Sequence, residues 1–251
     1  MKIAITGKGG VGKTTLSALL SFRISAKGQR VIAVDADPDS NLASALGFSD
    51  AEKIIPISEM GPLIEERTGA KPGSSGSFFK INPKVDDLPD KLSLQKDNIR
   101  LMVMGTVKKG GAGCVCPESV LLKTLITHLV LFQDDVVIMD MEAGIEHLGR
   151  GTATGVDMLI VVIEPGQRSI ETAKKINSLA NDLKLKRVAV VGNKIRKSSD
   201  EDFIRENVDG IEVLGFLPFD ENLIESDMKG IPALSLFSER IEQMLENINS
   251  H

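Results

Sequence analysis

Gly7-Lys8-Gly9-Gly10-Val11-Gly12-Lys13-Thr14-Thr15 is the stretch that decides the fold. It follows an apolar run at residues 2–6 and opens a helical pattern at residues 14–26. Glycines at this spacing let backbone N–H groups turn inward around phosphate oxygens, and a helix start adds unpaired N–H groups and partial positive charge. Lys13 can reach terminal phosphates, and the Thr14 hydroxyl can ligate magnesium. The strand–loop–helix context separates a phosphate loop from a chance glycine-rich turn. Gly9, Gly10, Val11, Gly12, Lys13, Thr14 and Thr15 are therefore expected to hold a nucleotide.

Outward from the loop, short β-branched runs alternate with helical patterns. Strands are expected at residues 2–6, 30–35, 99–105, 136–140, 158–164, 187–193 and 212–217. Several are apolar almost throughout, as when helices cover both faces of a parallel sheet. At residues 169–183, Ile170, Ala173, Ile176, Leu179 and Leu183 recur at helical spacing, with Ser169 as the expected cap. Residues 117–132 read the same way. The alternation predicts a single α/β domain over residues 1–251, a doubly wound, mostly parallel sheet flanked by helices, the P-loop NTPase fold. Residues 49–98 break the pattern. They hold a short helical stretch near 57–66, the run Gly73-Ser74-Ser75-Gly76-Ser77 and Asn82-Pro83-Lys84-Val85, and read as an insertion.

A chain of 251 residues, 42% of them apolar, buries a full core without disulfides or metals. The formal charge of −5 gives the surface as a whole no attraction for nucleic acid or anionic lipid. No apolar run reaches the ~18 residues of a membrane span, and the N-terminal apolar stretch is too short for a signal peptide. The expectation is a cytoplasmic protein with neither nucleic acid nor membrane as partner. The two cysteines, Cys114 and Cys116, stay reduced there. One residue apart, they would strain a structural disulfide.

Two acidic segments flank the expected crevice. Val34-Asp35-Ala36-Asp37-Pro38-Asp39-Ser40 closes the second strand, and carboxylates at that end face the ligand in a doubly wound sheet. Asp-x-Ser also suits a helix start. Val136-Val137-Ile138-Met139-Asp140 runs into Met141-Glu142-Ala143-Gly144. An aspartate closing an apolar strand there holds magnesium, and Gly144 could set its N–H against a γ-phosphate and move on hydrolysis. Farther on, Asn193-Lys194 is followed by Ile195-Arg196, without the aspartate that reads guanine.

The loop with its second lysine, Lys8, resembles the deviant Walker A loop of a family of dimeric ATPases. That family includes nitrogenase iron protein, the septum-positioning and chromosome-partitioning ATPases and several metallochaperones. The resemblance implies ATP/ADP with magnesium, and a homodimer that depends on nucleotide or metal. It also implies a Lys8 that crosses to the partner's phosphates and an Asp37 that orients or deprotonates the attacking water. Asn193 would contact adenine, and the segment around Pro218 would form the base-side loop. A Lys8 that only adds charge within its own subunit is the other reading. Gly113-Cys114-Val115-Cys116 offers two thiolates, too few for a tetrahedral or square-planar site, but a two-fold dimer would supply four. Thiolates suit zinc and can hold nickel(II); small buried cysteines are the structural alternative. With Asp140-Met141-Glu142-Ala143-Gly144-Ile145-Glu146-His147-Leu148 and Arg150-Gly151-Thr152, the chain is similar over nearly its whole length to the carbon monoxide dehydrogenase accessory ATPases (CooC type). This second resemblance implies nickel or zinc at a dimer-interface site and carbon monoxide dehydrogenase as client. His147 could approach that metal or the partner, and His128 reads as packing. The alternative is a partitioning or septum-positioning ATPase. Residues 233–250 are amphipathic, but Glu239, Glu242 and Glu246 against Arg240 match a basic interfacial helix poorly. Lys184, Lys186, Arg187, Lys194, Arg196 and Lys197 could form a DNA-facing patch or a solvated rim.

Overall fold

The computed structural model of the chain describes residues 1–74, 78–105, 116–142 and 150–250, without the side chains of residues 150 and 151. In chain order the elements are β1 (Lys2–Gly7), α1 (Lys13–Ala26), β2 (Val31–Ala36), α2 (Leu42–Ala45), α3 (Gly61–Thr68), α4 (Leu88–Leu92), β3 (Leu94–Lys96), β4 (Ile99–Val103) and α5 (Pro117–Phe132). Then follow β5 (Val136–Met141), α6 (Arg150–Ala153), β6 (Met158–Ile163), α7 (Gln167–Asp182), β7 (Val188–Ile195), α8 (Ser198–Asn207), β8 (Glu212–Pro218), α9 (Glu221–Met228) and α10 (Ser238–Asn249).

Apolar runs with no polar face belong inside a sheet covered on both sides. β1, β2, β5 and β6 are buried at every residue, and they form the middle of one sheet of order β3-β4-β2-β5-β1-β6-β7-β8. Every pairing is parallel except β3 with β4. Alternate residues of β1 face opposite layers. Ile3 and Ile5 join the apolar layer under α1, α2 and α10, while Ala4 joins the layer under α3, α5, α7 and α8. The expected doubly wound fold is the one observed.

Three details depart from expectation. β3 was not foreseen; it is three exposed residues, Leu94, Gln95 and Lys96, turned back through Asp97-Asn98. Helix α7 begins at Gln167 with Gly166 as its cap, so Ser169 is not the cap. Its hydroxyl lies inside the first turn and accepts the Glu164 N–H at 3.4 Å. The helical stretch near 57–66 is a 3-10 turn, Ile57–Glu59, followed by α3, whose start carries Pro62. The described part of residues 49–98 shares the main core through Ile57, Ile64, Val85 and Leu88. A fork of two 2.8 Å hydrogen bonds from Arg67 to Asp87 pins it and holds the Asp87 carboxyl below the usual carboxylate range.

Candidate functional site

The loop between β1 and α1 owes its shape to glycines at crowded positions. A Cβ at Gly7, whose φ is +150°, would sit 2.4 Å from the Val162 carbonyl. One at Gly12, with φ +96°, would sit 2.2 Å from Asn193 Nδ2. Gly12 is also the cap of α1 and, having no side chain, makes no cap hydrogen bond to the first N–H groups of that helix. The helix start opens on a cleft of about 1660 Å³, lined by Gly9, Gly10, Gly12, Lys13, Thr14 and Thr15. Free N–H groups and a helix dipole at one spot form an anion site. Val11 is buried beneath the loop instead of facing the cleft.

Lys13 is almost fully buried, and its ammonium pairs with Asp37 at 3.3 Å. Asp37 and Asp39 line the same cleft, so the acidic segment after β2 faces the loop. Neither caps α2, whose cap is Asn41. Asp35, which sequence reasoning gave no role, shapes this segment. Its carboxylate accepts the N–H groups of Leu42 at 3.0 Å and Asp37 at 3.3 Å. Burial pushes its carboxyl up to about 7, those two bonds opposing the shift and the nearby Asp140 adding to it. An aspartate amid the apolar run of β2 was the available signal.

Asp140, the last residue but one of β5, has no solvent exposure and lies opposite Asp35 in register. Burial pushes its carboxyl up to about 6, while Thr14, Lys13 and Ser17 favour the charged form. Neither of its oxygens makes a hydrogen bond of good geometry, and Ser17 donates its proton to the Lys13 carbonyl instead. A buried carboxylate left without a donor beside a threonine hydroxyl at the phosphate end of α1 fits magnesium, a hard cation that takes oxygen ligands and keeps its waters. Thr14 and Asp140 would hold the ion. The end of β5 is fixed by the Thr6 hydroxyl, which donates to the Glu142 carbonyl at 2.9 Å.

Another wall of the cleft is built from the ends of β7 and β8. Asn193 is buried; its Nδ2 donates to the Val11 carbonyl at 2.8 Å, and its Oδ1 accepts the Lys194 N–H at 2.8 Å. Pro218 and Phe219 line the cleft, and the Arg196 guanidinium stacks 3.9 Å above the Phe219 ring. Lys8 is exposed and lies apart from the cleft, on a smaller recess formed with Glu164, Pro165, Gly166, Gln167, Arg168 and Ser169.

Cys116 is a half-buried free thiol at the cap of α5. The Ser119 hydroxyl accepts the Cys116 N–H at 3.3 Å. Cys114, Gly144 and His147 lie outside the described residues. His128 is half-buried on α5 with its ring 5.7 Å from that of Phe132, a packing position. No helix among the described residues is long and apolar enough to cross a membrane.

Comparison with known proteins agrees with this geometry. Residues 2–233 match the model of the CobQ/CobB/MinD/ParA nucleotide binding domain. An uncharacterized ATP-binding protein of Methanocaldococcus jannaschii is 54% identical over 235 residues, 92% of this chain and 90% of that protein. The carbon monoxide dehydrogenase accessory protein CooC of Rhodospirillum rubrum is 47% identical over 239 residues, 94% of this chain and 90% of its own length. Among solved structures, the MinC:MinD cell division protein complex of Aquifex aeolicus superposes with a TM-score of 0.70 at 21% identity, covering 98% of this chain and 94% of that one. Matches of this span settle the kinship: the chain is a phosphate-loop ATPase and belongs to the CobQ/CobB/MinD/ParA nucleotide binding domain family.

Proposed function

We propose that the chain is an ATP-driven metallochaperone of the cytoplasm that assists nickel insertion into carbon monoxide dehydrogenase. The observation that carries this reading is the 47% identity, over 94% of the chain, to a carbon monoxide dehydrogenase accessory protein. The Cys-x-Cys pair gives that likeness a chemistry. Cys114 and Cys116 of two subunits make four thiolates, a set suited to zinc and able to hold nickel(II).

Nucleotide and metal are coupled through the dimer in this reading. ATP is the nucleotide, with Asn193 and Pro218 on its base side. Thr14 and Asp140 would hold magnesium, which would supply positive charge to the phosphate oxygens. Lys13 leaves Asp37 for the terminal phosphates, which frees the Asp37 carboxylate to orient the attacking water. Lys8 of the partner subunit completes the charge around the γ-phosphate, and Gly144 follows that phosphate. Loss of the γ-phosphate loosens the dimer and releases the metal to the client.

The test is a titration of nickel(II) into metal-free, reduced protein, reading ultraviolet thiolate charge-transfer absorbance and molecular mass together. The expected result is a band that saturates at one nickel per dimer and vanishes in Cys114→Ala/Cys116→Ala. Nickel binding that ignores the cysteines would sink the metallochaperone reading and leave the ATPase.

A further inference from the structure

Strand β7 sends two consecutive side chains to one target. In a regular strand, neighbours such as Asn193 and Lys194 point to opposite faces. Here the pairing of β7 with β8 is irregular between Gly192 and Ile195. Lys194 holds φ at +59°, a left-handed conformation that residues other than glycine, asparagine and aspartate seldom adopt. The break turns both side chains onto the phosphate loop. Asn193 Nδ2 reaches the Val11 carbonyl, and Lys194 Nζ donates to the Gly10 carbonyl at 2.7 Å. Glu164, the residue after β6, pairs with the same Nζ at 3.3 Å. Bulges that re-aim a side chain beside an active site are a recurrent device.

The target explains why such a device is needed. Gly7 and Gly12 are held by close packing, but a Cβ at Gly10 would meet nothing within 4 Å. The Gly10 carbonyl belongs to the peptide whose N–H, on Val11, reaches the Lys8 carbonyl only at 3.4 Å, so the loop's own hydrogen bond holds that peptide weakly. A rotation that swung its carbonyl inward would present a negative dipole to the phosphates. We propose that Lys194 is a positioning residue for the nucleotide phosphates: it holds the Gly10 carbonyl outward, Glu164 fixes the direction of its ammonium, and the N–H groups of the loop thereby stay aimed at phosphate. The lysine acts through the loop backbone and touches no reacting atom. This rests on the ATPase site and not on nickel, so a failed nickel titration leaves it standing.

The experiment compares unaltered protein with Lys194→Met and Lys194→Arg. It measures equilibrium binding of magnesium ADP and of AMP, kcat/KM for ATP, and the thermal midpoint without nucleotide. Lys194→Met is expected to weaken ADP about tenfold, the scale of a lost charge-assisted hydrogen bond, and to lower kcat/KM in step. AMP, which lacks the β-phosphate at the centre of the loop, should change by less than about twofold. Lys194→Arg should recover most of the loss, because it keeps charge and reach. ADP binding within about twofold of unaltered protein overturns the proposal, and so does an equal loss for AMP and ADP, which would make Lys194 a base-side or general folding contact. Should Lys194→Met fail to fold, Glu164→Gln takes the same measurements. There a loss of about threefold for ADP alone is expected, and no loss overturns the proposal.

Discussion

At the scale of single residues, two buried acids set the terms of the nucleotide-free protein. Asp35 and Asp140 face each other at the ends of neighbouring strands, both fully buried, with carboxyls pushed up from 3.8 to about 7 and about 6. A raised folded-state value means that the folded protein keeps protons that the unfolded chain has released. The stability this gives is complete below about pH 4 and is lost as pH rises through the folded values. The thermal midpoint of nucleotide-free protein should therefore fall between about pH 5 and about pH 8, and Asp35→Asn should flatten that slope. A midpoint rising over the same range would contradict the burial argument. Single residues also mark how far the sequence could be read. The phosphate loop was legible because its glycines, lysine and threonine are local, with strand and helix on either side. The pairing of Lys13 with Asp37 and the hold of Lys194 on Gly10 were not, because each joins parts of the chain that only the folded sheet brings together.

Among the elements, α10 repays attention. Its apolar face, Ile241, Met244, Leu245 and Ile248, is buried against β8 and α1. Its last carbonyls, on Asn247 and Ile248, accept hydrogen bonds of 3.0 Å each from Arg187, which also forks onto Glu212. The amphipathic pattern at residues 233–250, judged a poor match to a basic interfacial helix, has its apolar face within α10 packed in the core. Met244→Ala, packed against Gly215, should cost about 2–4 kcal/mol, measured by denaturant midpoint. A cost below about 1 kcal/mol would mean that the helix docks loosely. Seven of the strands were visible as apolar runs. β3 was not, since Leu94-Gln95-Lys96 carries no apolar alternation. The Asp97-Asn98 pair between it and β4, with Asp97 at φ +52°, was the turn signal that could have revealed it.

Over the whole molecule, the strand order places β1 between β5 and β6, so the phosphate loop emerges from the middle of the sheet. That order could not be read from the sequence, because β5 inserts between β1 and β2 from more than a hundred residues away. The alternation of elements gave the doubly wound class but no neighbour list. Lys8 lines the recess beside the loop's cleft and not the cleft itself, and the proposed dimer has it act on the partner's phosphates. Turnover per subunit should thus rise with protein concentration, and Lys8→Ala should be slower by about a thousandfold with no such rise, while ADP affinity and thermal midpoint hold. A Lys8→Ala protein whose turnover still climbs with concentration would place the lysine's work within its own subunit.

The stack of Arg196 on Phe219 at the rim of the cleft has a further use. The chain contains neither tryptophan nor tyrosine, so it is almost dark in ultraviolet emission. An indole placed by Phe219→Trp would be the sole fluorophore of its kind, seated beneath a cation that quenches it and beside the space for a base. Arrival and departure of nucleotide could then be followed in real time, without a labelled ligand, through every stage of ATP turnover.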